Sequence, residues 1–221
     1  MIRAWVRGSI SFQSSQAAIL ESAFSDCSSS PFIKTIGLIL YLIAAMSRSN
    51  TILNHDFYRK DVLEIARELP GKCLVRQVDG QLCRYGITDV EAYRGEEDQA
   101  SHARRGRTPR TRVMYHEGGI LYVYLVYGMH WMLNIVTGPQ GHPQALLIRG
   151  LSTIQGPGRL TKALGIDRSF NAEDLTHSQR IWIEEVNGES PGQIITRPRV
   201  GIDYAGKEWR EKPWRFILKN G

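Results

Sequence analysis

The sequence predicts an α+β fold, a single compact domain with a largely antiparallel, curved β-sheet flanked by short helices. Strand-like runs follow one another through a hairpin and short turns, as antiparallel strands do. The amphipathic segments that could form helices are few and short. The 221 residues contain no internal repeat, P-loop or GxGxxG fingerprint, and they suffice for one domain with a sizeable core.

The first predicted elements are a helix and a hairpin. Asp61 is a suitable N-cap for a short amphipathic helix, which Pro70-Gly71 ends. A strand over residues 72–78 and another over residues 81–93 flank the pair Asp79-Gly80, which favours a tight hairpin turn.

An Arg-rich polar stretch over residues 94–117 comes next. Beyond it, Pro157 opens a short helix that ends near Gly165. Apolar runs predict five more strands, at residues 120–127, 131–137, 144–151, 194–202 and 214–218.

Residues 1–52 differ in composition from the rest. They are rich in Ser and Ala, and their one apolar run, residues 36–46, is shorter than the roughly 20 residues that a membrane span needs. We expect an N-terminal extension, either disordered or included because the start was assigned upstream of a true start at Met46. A membrane-associating helix is the alternative. The domain is expected over residues 53–221.

Charge and cysteine content say little by themselves. The net charge of +6 is compatible with a polyanionic partner, although many basic proteins bind no nucleic acid. Cys27, Cys73 and Cys83 form no CxxC pair and no zinc-ligand spacing. We therefore expect free thiols in a reducing compartment.

The segment Asp89-Val90-Glu91-Ala92-Tyr93 combines a carboxylate with an aromatic ring. Side chains two apart on a strand share a face, so Glu91 and Tyr93 point the same way. A carboxylate in such a place can act as a general base. The alternative is a surface glutamate on a solvent-facing strand.

The polar loop that follows contains His102 and five arginines. The arginines are Arg104, Arg105, Arg107, Arg110 and Arg112. Guanidinium groups suit phosphates. The alternative is a solvated loop that Glu96, Glu97 and Asp98 partly neutralise.

Tyrosines dominate the next strand. Tyr122 and Tyr124 share one face, and Tyr127 falls at the strand end, where Gly128 permits a sharp turn. A tyrosine projecting from a turn beside the apolar Met129 could pry a base from its stack. The alternative is that these aromatic side chains are ordinary strand and core residues.

Two polar residues interrupt apolar strands. Asn134 lies in Met132-Leu133-Asn134-Ile135-Val136, and Arg149 ends Leu146-Leu147-Ile148-Arg149. A polar group in such a strand needs a hydrogen-bonding partner or a role in function. Structural hydrogen bonding remains the alternative to function for each.

Together these motifs resemble the alkyladenine (3-methyladenine) DNA glycosylase family, from about His55 to Leu218. The matching segments are Asp89-Val90-Glu91-Ala92-Tyr93, the His102 loop with Arg107-Thr108-Pro109-Arg110, residues 121–129, Asn134, Leu147-Ile148-Arg149, residues 156–160 and Arg199-Val200-Gly201-Ile202. The resemblance implies a monofunctional enzyme that flips alkylated or deaminated purines out of duplex DNA and hydrolyses the N-glycosidic bond. It also implies that no metal or organic cofactor takes part.

The resemblance further implies a role for each residue. Glu91 deprotonates the attacking water, which Arg149 and the backbone of Ile202 help to hold. The flipped base stacks among Tyr93, His102 and Tyr124, and Asn134 disfavours guanine through its exocyclic amine. Tyr127 fills the gap left in the duplex, with Met129 nearby. The arginine pattern itself predicts that four arginines bind DNA phosphates: Arg104, Arg107, Arg110 and Arg112.

The expected partner is double-stranded DNA containing damaged purines, bound by a monomer without membrane attachment. The expected location is the cytoplasm, at the nucleoid in a bacterium, or the nucleus in a eukaryote. Three alternatives stay open. They are a non-enzymatic nucleic-acid binder, a metal-dependent hydrolase using His102, His116 and His130, and a glycosylase with lyase activity through Lys72 or Lys162.

Overall fold

A computed structural model gives the structure of residues 51–186 and 192–219. These residues belong to one structural unit, Asn50–Gly221. The predicted N-terminal extension lies outside the described residues apart from Thr51 and Ile52, and so does the alternative start at Met46. Among the described residues, no helix has the length and apolar character needed to span a membrane.

The helices are short, as expected; two precede the first strand and two lie between later strands. They are α1 His55–Tyr58, α2 Val62–Glu68, α3 Pro157–Ala163 and α4 Gly206–Glu211. Helix α2 begins where the sequence predicts, because the Asp61 carboxylate accepts the N–H of Leu63 at 2.9 Å. Helix α3 has Pro157 in its first turn. Neither α1 nor α4 was predicted.

An antiparallel sheet forms the centre of the domain. Its strands are β1 Cys73–Val78, β2 Gln81–Arg94, β3 Leu121–Val126, β4 His130–Thr137, β5 Gln144–Leu151, β6 Ile181–Glu184, β7 Ile194–Arg197 and β8 Arg215–Leu218. The order is β3-β4-β5-β2-β1-β6, and β8 joins β2 to β7. This curved antiparallel sheet with few short helices confirms the predicted α+β class.

Two details differ from the predicted strands. Strand β7 ends at Arg197 and does not continue to Ile202, because Pro198 has no N–H for a ladder hydrogen bond. Strand β6 was not predicted; its four residues pair with β1 and are too short for a clear periodic signal.

Strand β2 is the longest of the helices and strands in residues 51–186 and 192–219, and it lies at the centre of the sheet. Its first half pairs with β1 through a hairpin whose turn residues Asp79 and Gly80 have φ of 49° and 78°, as predicted. Its second half lies between β5 and β8. The pairing with β5 shifts register between Ile87 and Val90, and such a bulge bends a strand.

The two faces of β2 have different surroundings. Val90 and Ala92 lie in the main hydrophobic core, together with residues of α2, β1 and β5. Glu91 and Tyr93 belong to the opposite face, as the alternation along a strand predicts. That face borders a cavity.

Candidate active site

A cavity of about 470 Å³ opens beside the second half of β2. This volume lies in the range of small-molecule pockets, about 300–1,000 Å³. Six of the residues expected in the site line it: Tyr93, His102, Tyr124, Asn134, Arg149 and Ile202. They come from four strands and two loops that are far apart in the sequence.

Glu91 lies immediately behind the cavity wall, and its side chain is fully buried. Tyr93 Oη donates a hydrogen bond to Glu91 Oε2 at 3.0 Å, and the backbone N–H of Val200 donates to Oε1 at 2.8 Å. The guanidinium of Arg149 lies at 3.3–3.4 Å from both carboxylate oxygens. The alternative of a surface glutamate is wrong, because the neighbours of β2 cover this side chain.

The surroundings of Glu91 act on its pKa in opposite directions. Burial raises the pKa of the carboxyl above its ordinary value, since the charged form loses its hydration. Arg149, the Val200 N–H and the Tyr93 hydroxyl each lower the pKa and offset part of this effect. The net result is a raised pKa, which makes the carboxylate a stronger base than an exposed one.

Arg149 lies on β5, the strand next to β2, and contacts Glu91 on the same face of the sheet. Its side chain is mostly buried. Its Nε atom is buried and makes no hydrogen bond to any of the described residues. The Nη1 group of this side chain donates to Glu91 Oε2, so its structural and functional roles coincide at the carboxylate. Its Nε remains an N–H donor next to the carboxylate.

Aromatic rings form one wall of the cavity. The ring centroids of His102 and Tyr124 are 4.5 Å apart, and those of Tyr122 and Tyr124 are 5.1 Å apart. Tyr122 also hydrogen-bonds through its hydroxyl to His102 Nδ1 at 3.0 Å. The sequence analysis did not place Tyr122 in the site, although its shared face with Tyr124 was the signal for it.

The imidazole of His102 is neutral at neutral pH. Burial, together with the charges of Arg110 and Arg104, lowers its pKa to about 4. A neutral ring keeps one N–H donor and one lone pair, and it does not repel a positively charged base. The aromatic wall is thus uncharged where a base would stack.

Asn134 is held rigidly in the floor of the cavity. Its Nδ2 donates to the carbonyl oxygens of Tyr122 at 3.0 Å and Met132 at 3.3 Å. The amide nitrogen of Asn134 therefore makes structural hydrogen bonds, which was the alternative to a functional role. The side chain lines the cavity as well. Its position is fixed before any ligand enters.

The segment after Pro198 forms the other side of the cavity. Val200, Gly201, Ile202 and Tyr204 line it, and Ile202 is buried. Tyr204 Oη donates to the carbonyl of Ala100 at 3.0 Å, which connects this segment to the loop before His102. The sequence analysis expected only the Ile202 backbone here and missed the Val200 N–H.

A sequence model of the methylpurine-DNA glycosylase family matches residues 56–156 and 151–221. The chain belongs to this family. It is therefore a DNA glycosylase, as the sequence analysis expected, and its substrate is DNA. The alternative of a non-enzymatic nucleic-acid binder is not supported.

Similar proteins occur in several bacteria, each named "Putative 3-methyladenine DNA glycosylase". One from Desulfitobacterium hafniense (strain Y51) is 43% identical over 196 residues, which cover 76% of this chain and 95% of the relative. One from Natranaerobius thermophilus is 40% identical over 192 residues, covering 76% and 96%. One from Legionella pneumophila (strain Corby) is 43% identical over 176 residues, covering 76% and 94%.

In this glycosylase residues 104–112, the arginine loop, form a mostly exposed cationic surface beside the cavity. Arg107, Arg110 and Arg112 are exposed, whereas Arg104 is half-buried and donates to the carbonyl of Gln99 at 2.9 Å. Only Arg110 of these four also lines the cavity, and its guanidinium lies 5.1 Å from the Tyr124 ring.

Two of the three acidic residues expected to neutralise this loop, Glu96 and Asp98, have other partners. Tyr115 Oη donates to Glu96 at 2.5 Å, and Asp98 pairs with Arg199 in the interior. Within the described ranges, no ion pair joins Glu96, Glu97 or Asp98 to the arginine loop. The positive charge of the loop is therefore available to a polyanion.

Tyr127 projects from the turn between β3 and β4. Tyr127 and Gly128 have φ of 52° and 68°, and the Met129 N–H donates to the Val126 carbonyl at 3.1 Å, which defines a tight turn. The side chains of Tyr127 and Met129 are 89% and 69% exposed. The alternative of a core role is wrong for Tyr127, which stands at the rim of the cavity.

The described residues give the hydrolase and lyase alternatives little support. The group of three possible metal ligands in this part of the chain is His55, Asp174 and His177, which includes none of His102, His116 and His130. No lysine is found among the described residues that line the cavity. Lys72 is paired with Glu185 at 2.6 Å, and Lys162 is exposed on α3.

Proposed function

We propose that this glycosylase flips alkylated or deaminated purines out of duplex DNA and hydrolyses their N-glycosidic bond, with 3-methyladenine among its substrates. The observation that carries the proposal is the buried Glu91 carboxylate, which adjoins a base-sized cavity with an aromatic wall. The names of the similar bacterial proteins point to the same substrate.

Glu91 is the proposed general base. It takes a proton from a water molecule, whose oxygen then bonds to the anomeric sugar carbon as the base departs with the bonding electrons. The same negative charge stabilises the positive charge that develops on the sugar. Arg149, whose Nε lies 3.3 Å from Glu91 Oε1, and the backbone near Ile202 are proposed to orient that water.

The cavity is proposed to select bases by stacking and charge. Stacking on Tyr93, His102 and Tyr124 supplies about 1–3 kcal/mol per base, which offsets the few kcal/mol that extrusion costs. An alkylated purine such as 3-methyladenine is cationic, so tyrosine faces add cation–π attraction and the neutral His102 adds no repulsion. Asn134, fixed by its two hydrogen bonds, excludes the exocyclic amine of guanine.

The attacking group is proposed to be water and not a lysine amine. A lyase mechanism needs an amine at the sugar carbon. Neither Lys72 nor Lys162 lines the cavity, and the pairing of Lys72 with Glu185 holds its amine elsewhere. The product is then DNA with an intact backbone and one abasic site, released by an enzyme that acts as a monomer.

The direct test is base release. Methylated genomic DNA and duplex oligonucleotides with a single hypoxanthine are incubated with the chain, and the freed bases are separated by chromatography. We expect 3-methyladenine and hypoxanthine in the supernatant, and strand breaks only after treatment with alkali. Release of no base, or breaks without alkali, would contradict the proposal.

The pH dependence of the reaction follows from the raised pKa of Glu91. Only the deprotonated carboxylate accepts a proton, so the rate falls as the pH drops through this pKa. We expect the acidic limb to lie above the range of an exposed glutamate. Single-turnover release of 3-methyladenine at a series of pH values measures it, because this base is cationic in DNA without further protonation. A limb in the ordinary glutamate range would contradict the expected environment of Glu91.

The arginine loop predicts a salt-dependent affinity for DNA. Each phosphate contact contributes about 0.9 to the slope of log affinity against log salt. Replacing Arg107 and Arg110 with Ala is expected to reduce the magnitude of that slope by about 1.8 for the pair. The exposed Arg168 and Arg197, replaced together, remove the same charge outside the loop and serve as the control. Equal slopes for both double variants would mean that the loop does not contact the backbone.

A further inference from the structure

We infer that the buried ion pair between Asp98 and Arg199 positions Glu91 for catalysis by fixing the Val200 N–H and the Tyr93 ring on either side of it. This inference rests on the proposed role of Glu91 as the general base. It assigns a function in the reaction to two residues that do not line the cavity and do not touch a bound base.

Arg199 ties together several parts of the chain around the carboxylate. Its Nη1 donates to the carbonyl of Ala92 at 2.9 Å and to Asp98 Oδ2 at 2.5 Å. Its Nη2 donates to Asp98 Oδ1 at 2.9 Å and to the carbonyl of Trp209 at 3.4 Å. Both charged side chains are fully buried. Arg199 therefore acts only through its neighbours.

The guanidinium also supports an aromatic ring of the site. It lies 4.8 Å from the centroid of Tyr93 and 5.0 Å from that of Trp214. Tyr93 both lines the cavity and donates its hydroxyl to Glu91. Arg199 thus fixes the ring that holds one oxygen of the carboxylate.

The other oxygen is held by the residue next to Arg199 in the chain. The Val200 N–H donates to Glu91 Oε1 at 2.8 Å. A side chain anchored at four acceptors leaves its own backbone little freedom, so the direction of the following N–H is fixed as well. The same pair thereby sets both hydrogen bonds that reach Glu91 from neutral donors.

Asp98 extends this arrangement to the base-stacking wall. Its carboxylate also accepts the N–H groups of Arg94 at 3.1 Å and Ala100 at 3.0 Å, and its backbone carbonyl accepts the N–H of Ser101 at 2.8 Å. Ser101 directly precedes His102. One buried contact therefore connects the end of β2, the His102 loop and the segment after Pro198.

Replacing Arg199 with Lys tests the inference. Lysine keeps the positive charge beside Asp98, but a single ammonium cannot form the parallel pair of hydrogen bonds, reach the other carbonyls and stack on Tyr93. We expect single-turnover base release at neutral pH to fall about ten- to a hundred-fold, as small misplacements of reacting groups do. Affinity for an undamaged duplex should change little, because the substitution leaves the exposed arginines of the loop unchanged.

The pH profile separates positioning from a general loss of structure. A weaker Val200 hydrogen bond raises the pKa of Glu91 further, so the acidic limb should move to higher pH. Glu91 is also faced by charged and titratable groups that the substitution leaves in place: Arg149 on β5, Arg215 on β8, Asp89 and Tyr93 on β2, and Tyr124 on β3. Leu74 is a buried core residue of β1, so Leu74→Ala destabilises the fold away from the site and should leave the acidic limb unmoved.

Asp98→Asn provides a second variant with the same expected shift, and it tests the inference if Arg199→Lys does not fold. The inference is wrong if the folded variants release base at the parental rate with the limb unmoved. It is also wrong if Leu74→Ala moves the limb as far. A parent chain that releases no base would refute the proposed function itself, which is a different outcome.

Discussion

Glu91→Gln is expected to bind lesion-containing DNA like the parent and to release base at about 10²- to 10⁴-fold lower rate, the usual contribution of a positioned acid or base. The amide has nearly the shape of the carboxylate. Its carbonyl oxygen can still accept the Val200 N–H, so the surrounding segment keeps its place. It cannot take a proton from water, and it carries no charge to stabilise a positive sugar.

The experiment compares single-turnover release and equilibrium binding for the same lesion duplex. Glu97→Gln makes the same chemical change at an exposed position of the neighbouring loop and should retain the parental rate. Thermal unfolding of the parent and both variants confirms that the fold persists. If Glu91→Gln releases base at nearly the parental rate, Glu91 is not the general base.

Local chemistry explains which parts of the fold could be predicted from the sequence. The Asp61 cap and the Asp79-Gly80 turn act over a few residues, and both are found where expected. Helix α4 and strand β6 were missed, because each has only four to six residues and depends on tertiary contacts. Strand β7 was extended too far, since apolar content was given more weight than the missing N–H of Pro198.

The candidate site shows the limit of such reasoning more clearly. Alternation along β2 indicated that Glu91 and Tyr93 share a face. It did not indicate whether that face is exposed to solvent or buried. Burial follows from the position of β2 between β5 and β8, and this pairing joins residues as distant as Glu91 and Arg215. No local pattern reports it.

Asp98 shows how proximity in the sequence misleads. It was expected to neutralise the arginines that follow it in the chain. It pairs instead with Arg199, 101 residues away, and is fully buried. A buried arginine needs an acidic partner, because an uncompensated charge in the interior is costly. The sequence does not show which of several acidic residues takes that place.

Tyr127→Ala is expected to separate duplex from single-stranded substrates more than any other substitution in the site. Extrusion leaves a hole in the duplex, and restacking draws the base back. A tyrosine that fills the hole stabilises the flipped state by about 1–3 kcal/mol of stacking. At about 1.4 kcal/mol per factor of ten, excision from duplex DNA should fall roughly 5- to 150-fold. A single strand has no such stack, so the loss there should be smaller.

The exposed position of Tyr127 means that its replacement removes the ring without disturbing the core or the turn. The side chain is 89% exposed, so its removal opens no cavity in the core. Alanine carries the same backbone cost at a φ of 52° as tyrosine does, and the turn is therefore kept.

Tyr127→Phe retains the ring without the hydroxyl and should behave like the parent on both substrates. Alanine at Tyr93 or Tyr124 should impair both substrates alike, because these residues line the cavity that receives the base. Single-turnover excision of one lesion in matched duplex and single-stranded oligonucleotides decides the matter. Equal fractional losses for Tyr127→Ala on the two substrates would mean that Tyr127 contacts the flipped base and does not fill the gap in the duplex.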